Sequence, residues 1–529
     1  MRIRSYEQLD FSLAWRRVLD WAKGGTIDVP DRLPFEVLSR VYGEEGQRPE
    51  RDHHLAPVTL VMSSKKSGTS RPFSRLNPLD LTLYQALVDG LAPDVEAALA
   101  SRTKVFAYRQ TLDRDTHAFS GTPSRAAFEA GVQGIFASPF SPNRYAIKAD
   151  IAGYFLHVSI DELEHRLYAV SSQVDIVRDL LDLLRAWQTL GIRGLPQGVR
   201  PSAPLGNLYL APVDELLIGL RVPFVRWMDD WVIGARGFHA ARETQDHVER
   251  CLYNIGLTLA ADKTTIVRAA RAREESETAK DRLARLKRAR RDAAMNDLLA
   301  TAELGMDYPP DEADLPDPGE LDQEATVAAY DELLHRLESP DLSPGFRPMV
   351  TEILRDLGSV ELPHALDRLP RLLERAPDLT SAATRYLAEV ARATPEEVRD
   401  IFSELLAAER FTREYEKLAL CQGVLVLRLR EAPELAGPMA RWALEDAHAL
   451  VRARAVLAWG AQSAADDFEV ADRFWAGASP PWRPYALVAI QSKSIAPRNQ
   501  RFDRWSGEGR FLGRLGEALK SSPISWRKL

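Results

Sequence analysis

The stretch Phe224-Val225-Arg226-Trp227-Met228-Asp229-Asp230-Trp231-Val232-Ile233 decides the fold. Apolar residues alternate on both sides of two adjacent carboxylates, a pattern of two strands joined by a tight turn. The turn carries both aspartates at its tip. Adjacent acids between apolar strands repel each other and resist desolvation, so a compensating cation is expected. Mg²⁺ is the usual partner of such hard oxygen ligands.

Working outward, Tyr145-Ala146-Ile147-Lys148-Ala149-Asp150 is again an apolar strand that delivers an acid. Small residues and the aromatic pair Tyr154-Phe155 follow it. Between the two acidic sites lies Gly194-Leu195-Pro196-Gln197-Gly198, a turn by composition, which opens an apolar helix containing Ser202 and Asn207. Gly256-Leu257 and Asp262-Lys263-Thr264 come after the Asp-Asp hairpin. Well upstream, Lys65-Lys66-Ser67-Gly68-Thr69-Ser70-Arg71-Pro72-Phe73-Ser74-Arg75 holds four basic residues and no acid.

In this order the segments resemble motifs A to D of a reverse transcriptase palm, over roughly residues 50–270. Asp150 with Phe155 resembles motif A, Leu195-Pro196-Gln197-Gly198 motif B, Trp227-Met228-Asp229-Asp230 motif C, and Gly256-Leu257 with Lys263-Thr264 motif D. The resemblance implies phosphoryl transfer to a 3′-hydroxyl with two Mg²⁺ ions, Mn²⁺ being an alternative. Asp150 and Asp229 would bridge the metals, Asp230 would support them, and the backbone carbonyl of Ile151 would complete one site. Lys263 would neutralise or protonate the leaving pyrophosphate. Phe155 stands where the family carries its steric gate, which implies deoxynucleoside triphosphate substrates. Gln197 would contact the incoming nucleotide or the template. The basic loop resembles the fingers hairpin, in which Lys65, Lys66 and Arg71 would grip the triphosphate, Arg being suited to bidentate contact. Arg109 resembles a second fingers motif. Trp227 departs from the Phe or Tyr that the family carries there, without removing a metal ligand.

A chain of 529 residues has room for more than one domain with a full core. No apolar run is long enough to span a membrane, and the start of the chain lacks a signal-peptide core. Cys251 and Cys421 lie far apart in sequence, so no disulfide framework is expected and a reducing cytoplasm fits. The net charge of −7 is unexpected for a nucleic-acid enzyme. The acidic excess lies in residues 301–529, so phosphate attraction falls to local patches. One patch is the Lys65–Arg75 loop, and another is Arg282, Arg285, Lys287, Arg288, Arg290 and Arg291.

The expected architecture is an α+β right-hand polymerase followed by an all-α helical-repeat domain. Residues 1–50 read as an N-terminal helical segment and 51–267 as fingers and palm. Residues 268–304 are a charged, strongly helix-forming segment where a thumb would begin; this helix either tracks a duplex or is a solvated charged face. Residues 305–323 read as an acidic, Pro-rich linker. Residues 324–529 show amphipathic helices that resemble HEAT repeats, with an irregular bundle as the alternative. Near the end, Arg501, Arg504 and Arg510 interleave with Phe502, Trp505 and Phe511, as in single-strand binders or in a capping helix with snorkelling arginines.

A palm followed by helical repeats resembles the abortive-infection and "unknown group" reverse transcriptases of bacterial anti-phage defence. That resemblance implies DNA synthesis that can be untemplated and primed from a tyrosine hydroxyl, with Tyr6 or Tyr42 as candidates, and a homo-oligomer. The alternatives are a templated enzyme copying an associated RNA, as retron enzymes do, and a scaffold with an inactive palm.

Overall fold

The computed structural model describes residues 1–23, 31–43, 48–65, 69–109, 125–136, 141–275, 277, 279–303, 317–335, 345–407, 411, 413–427 and 432–529. The chain divides into two compact units. The first comprises Met1–Val61 and Pro72–Ser276, the second Met62–Arg71 and Glu277–Leu529.

β1 (Thr59–Ser64) and β2 (Ser70–Arg75) form a two-stranded hairpin whose outer part groups with the second unit. The first unit is built on a four-stranded antiparallel sheet, with β3 (Tyr145–Asp150), β4 (Phe224–Trp227), β5 (Asp230–Ala235) and β6 (Thr265–Arg268) in the order β4-β5-β3-β6. Strand alternation sorts the side chains onto two faces. Ile147, Ala149, Phe224, Trp231 and Ile233 join the main core with Leu180, Trp187 and Leu205. Ala146, Val225 and Val232 pack on the other face against Phe128, Val132 and Phe136 of the helix Arg125–Phe136. Both faces being covered explains why these strands are so continuously apolar.

Described residues of the N-terminal helical segment, 1–50, pack into the first unit. Ile3, Trp15, Val18, Trp21 and Phe35 are buried in the same core as the palm helices. The acidic stretch expected as a linker runs over residues 305–323. Residues 304–316 lie outside the described residues, but a helix, Pro318–His335, begins inside the stretch. Pro at the first helical position presets φ without sacrificing a hydrogen bond, so proline starts this helix instead of breaking it.

The second unit is largely helical. Phe346–Ser359, Thr380–Val390, Glu414–Val426, Ala449–Gln462 and Arg483–Ala489 pack successively, each on the next. Leu369–Arg375, Pro395–Ala407, Pro433–Glu445 and Glu469–Gly477 do the same. Alternate helices thus form two layers, and the layers also pack on each other, most extensively between Pro433–Glu445 and Ala449–Gln462. Asp446 accepts from the His448 N–H at 2.9 Å and from Lys417 at 2.6 Å, fixing the start of the helix Ala449–Gln462.

The basic helix Ala279–Glu303 belongs to this unit and packs on Pro318–His335 and Phe346–Ser359. Lys287 pairs with Asp356 at 2.7 Å, Arg290 with Glu324 at 2.8 Å, Arg291 with Asp322 at 3.3 Å and Arg285 with Glu277 at 3.0 Å. Much of the positive patch read from the sequence is therefore matched by acids of its own unit. The same holds at the end of the chain. Arg501 and Arg504 both pair with Asp472, Phe502 and Trp505 are buried, and Trp505 stacks on Trp475 at 4.4 Å, which favours the capping reading. Within this unit the backbone N–H groups of Met62 and Ser64 donate to Glu414 and Glu416 at 3.1 and 3.2 Å, closing the open edge of the hairpin.

Candidate active site

The β4–β5 connection is a two-residue turn, Met228-Asp229, with Trp227 opposite Asp230. Met228 has φ 55°, the left-handed conformation such turns require of their first central residue. On the other side of β5, Asp150 stands directly opposite Asp230. Residues opposite each other across antiparallel strands share a face, with Cβ atoms about 5 Å apart. Trp227, Asp230 and Asp150 therefore form a row across three strands. Asp229 sits beside them on the turn.

Lys263 precedes β6 and its ammonium ion-pairs with the Asp150 carboxylate. Partial burial lowers its affinity for a proton. The hydrogen bond and charge of Asp150, with Asp230 and Asp229 adding, outweigh that and raise its pKa overall. Asp150 thus holds a cationic side chain, and the hard oxygens of the three aspartates suit a divalent ion. Among the described residues no group of three or more His, Cys, Asp or Glu side chains is gathered closely enough to count as a metal centre. In this arrangement Asp150 engages Lys263 instead. Ile151 follows Asp150, and the bonds that pin this stretch come from its neighbours. Ala260 N–H donates to the Asp150 carbonyl at 2.7 Å, and Ala152 N–H to the Thr258 carbonyl at 3.0 Å.

The turn bearing the aspartates is held from behind by a buried polar network that sequence reading missed. Arg226, fully buried in β4, donates to both carboxylate oxygens of Asp214. It also donates to Asn207 Oδ1 at 2.8 Å and to the Met228 carbonyl at 2.8 Å. Trp231 Nε1 adds a bond to Asp214 at 3.2 Å. The available signal was an arginine inside an apolar strand and an aspartate inside an apolar helix, since charges at such positions are rarely buried without a partner.

Motif-like segments A and B are clasped together. Leu195 N–H donates to the Phe155 carbonyl at 2.9 Å. Gly194 has φ 60°, and a Cβ on it would lie 2.1 Å from that same carbonyl, so glycine is required both by conformation and by space. Phe155 is half-buried, with its ring 5.1 Å from Tyr154. Gly206 also approaches the turn closely: a Cβ there would lie 2.9 Å from the flexible end of Met228 and 3.1 Å from the Tyr154 hydroxyl. The backbone carbonyl of Gln197 accepts from Ser74 N–H of β2 at 2.8 Å, tying this loop to the hairpin strand within the first unit.

The structure therefore brings Asp150, Ile151, Asp229, Asp230 and Lys263 together, with Phe155 on the segment that follows Asp150. The other expectations fare differently. Lys65 is half-buried and Arg71 exposed, both in the outer hairpin, while Lys66 lies outside the described residues. Arg109 is buried and committed to Glu96 at 2.9 Å and to the Ala100 carbonyl at 2.7 Å, which makes it a structural anchor. Tyr6 donates its hydroxyl to the Pro49 carbonyl at 2.9 Å, and Tyr42 ends the helix Leu33–Tyr42. Neither is engaged with the aspartates in any contact described.

A four-stranded antiparallel sheet with acids at adjoining strand ends, backed by helices, has the form of a polymerase palm. Residues 63–289 match the family model described as Reverse transcriptase (RNA-dependent DNA polymerase). This segment accordingly carries a reverse transcriptase domain, an RNA-directed DNA polymerase module. No curated protein matches the chain. Among solved structures it is similar to a telomerase from Candida albicans in complex with a fragment of telomeric RNA. The identity is 11%, the TM-score 0.28, and the match covers 67% of this chain and 64% of that one. The overlay is loose, and this chain spans under two thirds of the telomerase chain. No helix among the described residues is long and apolar enough to cross a membrane.

Proposed function

We propose that the protein is a DNA polymerase of the reverse transcriptase type that extends a 3′-hydroxyl with deoxynucleotides. The observation that carries this reading is the facing pair Asp150–Asp230 with Asp229 on the adjoining turn and Lys263 against Asp150. Two divalent ions held by Asp150, Asp229, Asp230 and the Ile151 carbonyl would activate the 3′-hydroxyl and neutralise charge on the pyrophosphate. Lys263, which ion-pairs with Asp150, is placed to neutralise or protonate the leaving pyrophosphate. Phe155 is braced by its carbonyl bond to Leu195, and its half-exposed ring narrows the space beside a sugar 2′-position. By the resemblance, Gln197 would contact the incoming nucleotide or the template, and Lys65, Lys66 and Arg71 would grip the triphosphate.

The finer reading follows the resemblance of palm plus helical repeats to the defence-associated class. The two-layer stacking of the second unit supports a HEAT-like repeat. We infer a role in anti-phage defence, with untemplated, tyrosine-primed synthesis by a homo-oligomer as the mode to test. Purified protein is incubated with Mg²⁺ and labelled deoxynucleotides, with and without an RNA template and primer, beside Asp229→Ala/Asp230→Ala. Product from wild type alone, shifted by protease and independent of template, supports the full reading. Template-dependent product supports a retron-like enzyme. No product under any condition leaves the scaffold reading and overturns the proposal.

A further inference from the structure

We propose that Tyr108 and Trp227 form an aromatic ledge that stacks a nucleobase beside the aspartates, with Tyr108 as its solvent-facing half. The inference rests on the polymerase reading of the site. It starts from how the chain reaches Tyr108. Residues 104–107 are laid along β4. Arg226 N–H donates to the Lys104 carbonyl at 2.7 Å, and Phe106 N–H to the Arg226 carbonyl at 3.0 Å. The Asn207 amide then donates to the Ala107 carbonyl at 2.8 Å. These bonds fix the backbone up to the residue where it turns out of register.

Tyr108 has φ 52°, a left-handed conformation that bulky residues rarely adopt. Such backbone persists only where the surroundings over-determine it, and it concentrates at functional sites. Here the conformation presents an aromatic ring to solvent. Tyr108 is 41% exposed. Its ring centroid lies 6.4 Å from that of Trp227. Trp227 is backed by Phe128 at 6.0 Å, and Phe128 by Phe106 at 6.1 Å. The ledge therefore rests on a packed aromatic stack and is not a loose surface ring.

Its position gives it a function. Trp227 shares a face with Asp230 and Asp150, and Lys263 closes the far end of that row. Aromatic surface lies at one end, carboxylates in the middle and a cation at the other. A nucleobase stacked on the aromatic end sends its sugar and phosphate toward the acids. Stacking needs only a π-face, so every base is accepted. The base at the end of a strand and the base of an incoming nucleotide share this chemistry, and the test separates them.

The test compares wild type with Tyr108→Phe, Tyr108→Ala and Tyr108→Gly. Affinity for fluorescein-labelled oligodeoxythymidine is read by anisotropy, KM for dTTP by incorporation, and stability by thermal melting. Phe keeps the stacking face and should bind as wild type. Ala and Gly should weaken one of the two ligands about tenfold, the scale of one stacked base. Gly relieves the left-handed strain, so its melting temperature should not fall below that of wild type. A loss confined to the oligonucleotide assigns the ledge to the strand, and a rise in dTTP KM assigns it to the incoming nucleotide. Equal binding and KM in all four proteins would overturn the proposal. So would losses in Ala and Gly that track a lowered melting temperature, because a packing role predicts that. If wild type incorporates nothing yet oligonucleotide binding still depends on Tyr108, the polymerase reading fails and the ledge stands. If wild type incorporates and neither ligand depends on Tyr108, the polymerase reading stands and the ledge fails.

Discussion

Replacing Arg226 by Met tests whether the buried network shapes the aspartate turn. The arginine is 0% exposed and its partner Asp214 is 1% exposed by side chain. Removing it strands a carboxylate in the core and deprives Asn207 Oδ1 and the Met228 carbonyl of donors. Breaking one partner of a buried ion pair costs about 3–5 kcal/mol. Met fills the volume of the arginine stem, so no large cavity is added and the loss should stay in that range. Replacing both partners, as Arg226→Met/Asp214→Leu, removes the orphaned charge and should recover part of the loss. Recovery should be incomplete, because Asn207 Oδ1 and the Met228 carbonyl still lack the donor that Arg226 supplied and Trp231 Nε1 now loses its acceptor. Urea unfolding followed by tryptophan fluorescence measures both, and nucleotide incorporation is read in parallel. The double variant should regain stability without regaining activity, since the turn still lacks its anchor at Met228. A single variant that loses less than about 1 kcal/mol, or a double variant with full incorporation, would refute the reasoning.

Other outcomes follow from the same geometry. Asp150→Asn should abolish incorporation while lowering stability by less than about 1 kcal/mol, because its partner Lys263 is 59% exposed and the pair is screened by water; a folded variant retaining activity would contradict the site. Lys263→Ala should reduce kcat by about 10²-fold or more with a smaller change in KM, the scale of lost proton transfer in single-turnover assays. Gly194→Ala should destabilise the first unit by more than about 1 kcal/mol and shift Phe155, since φ 60° and the Phe155 carbonyl both oppose a side chain; melting and ribonucleotide discrimination measure the two effects. Burial pushes the carboxyl of Asp89 up to about 6, with Arg17 and Gln85 opposing that rise. A carboxyl whose folded pKa is raised contributes stability that is fully present below its unfolded value and lost as pH climbs through the folded one. Stability measured from pH 4 to pH 7 should therefore fall less steeply in Asp89→Asn than in wild type.

The chemistry of this protein was legible because it is local. Asp229 and Asp230 are neighbours in sequence, and strand alternation with turn composition is enough to put them on a hairpin tip. The order of the segments around Asp150, Gln197 and Lys263 then resembled that of a reverse transcriptase palm, and that resemblance implied that they meet. The two layers of the second unit were also foreshadowed by helix periodicity, which depends on neighbours three and four residues apart. What the sequence did not contain was which distant charges meet. The cations of the helix Ala279–Glu303 looked like a phosphate surface until Asp322, Glu324 and Asp356 were placed against them. The acidic proline-rich stretch looked like a linker because Pro reads the same way whether it stops a helix or starts one. Arg226 and Asp214 are twelve residues apart and ordinary singly, yet the fold buries both and makes them one unit behind the turn. Tyr108 acquires its place beside Trp227 only through a parallel bridge between Val105 and Arg226, more than a hundred residues apart. Covalent neighbours and periodicity determine strands, turns and the acids they carry. Pairing between remote charges and rings is decided by tertiary packing, because burial makes each partner's environment depend on the other.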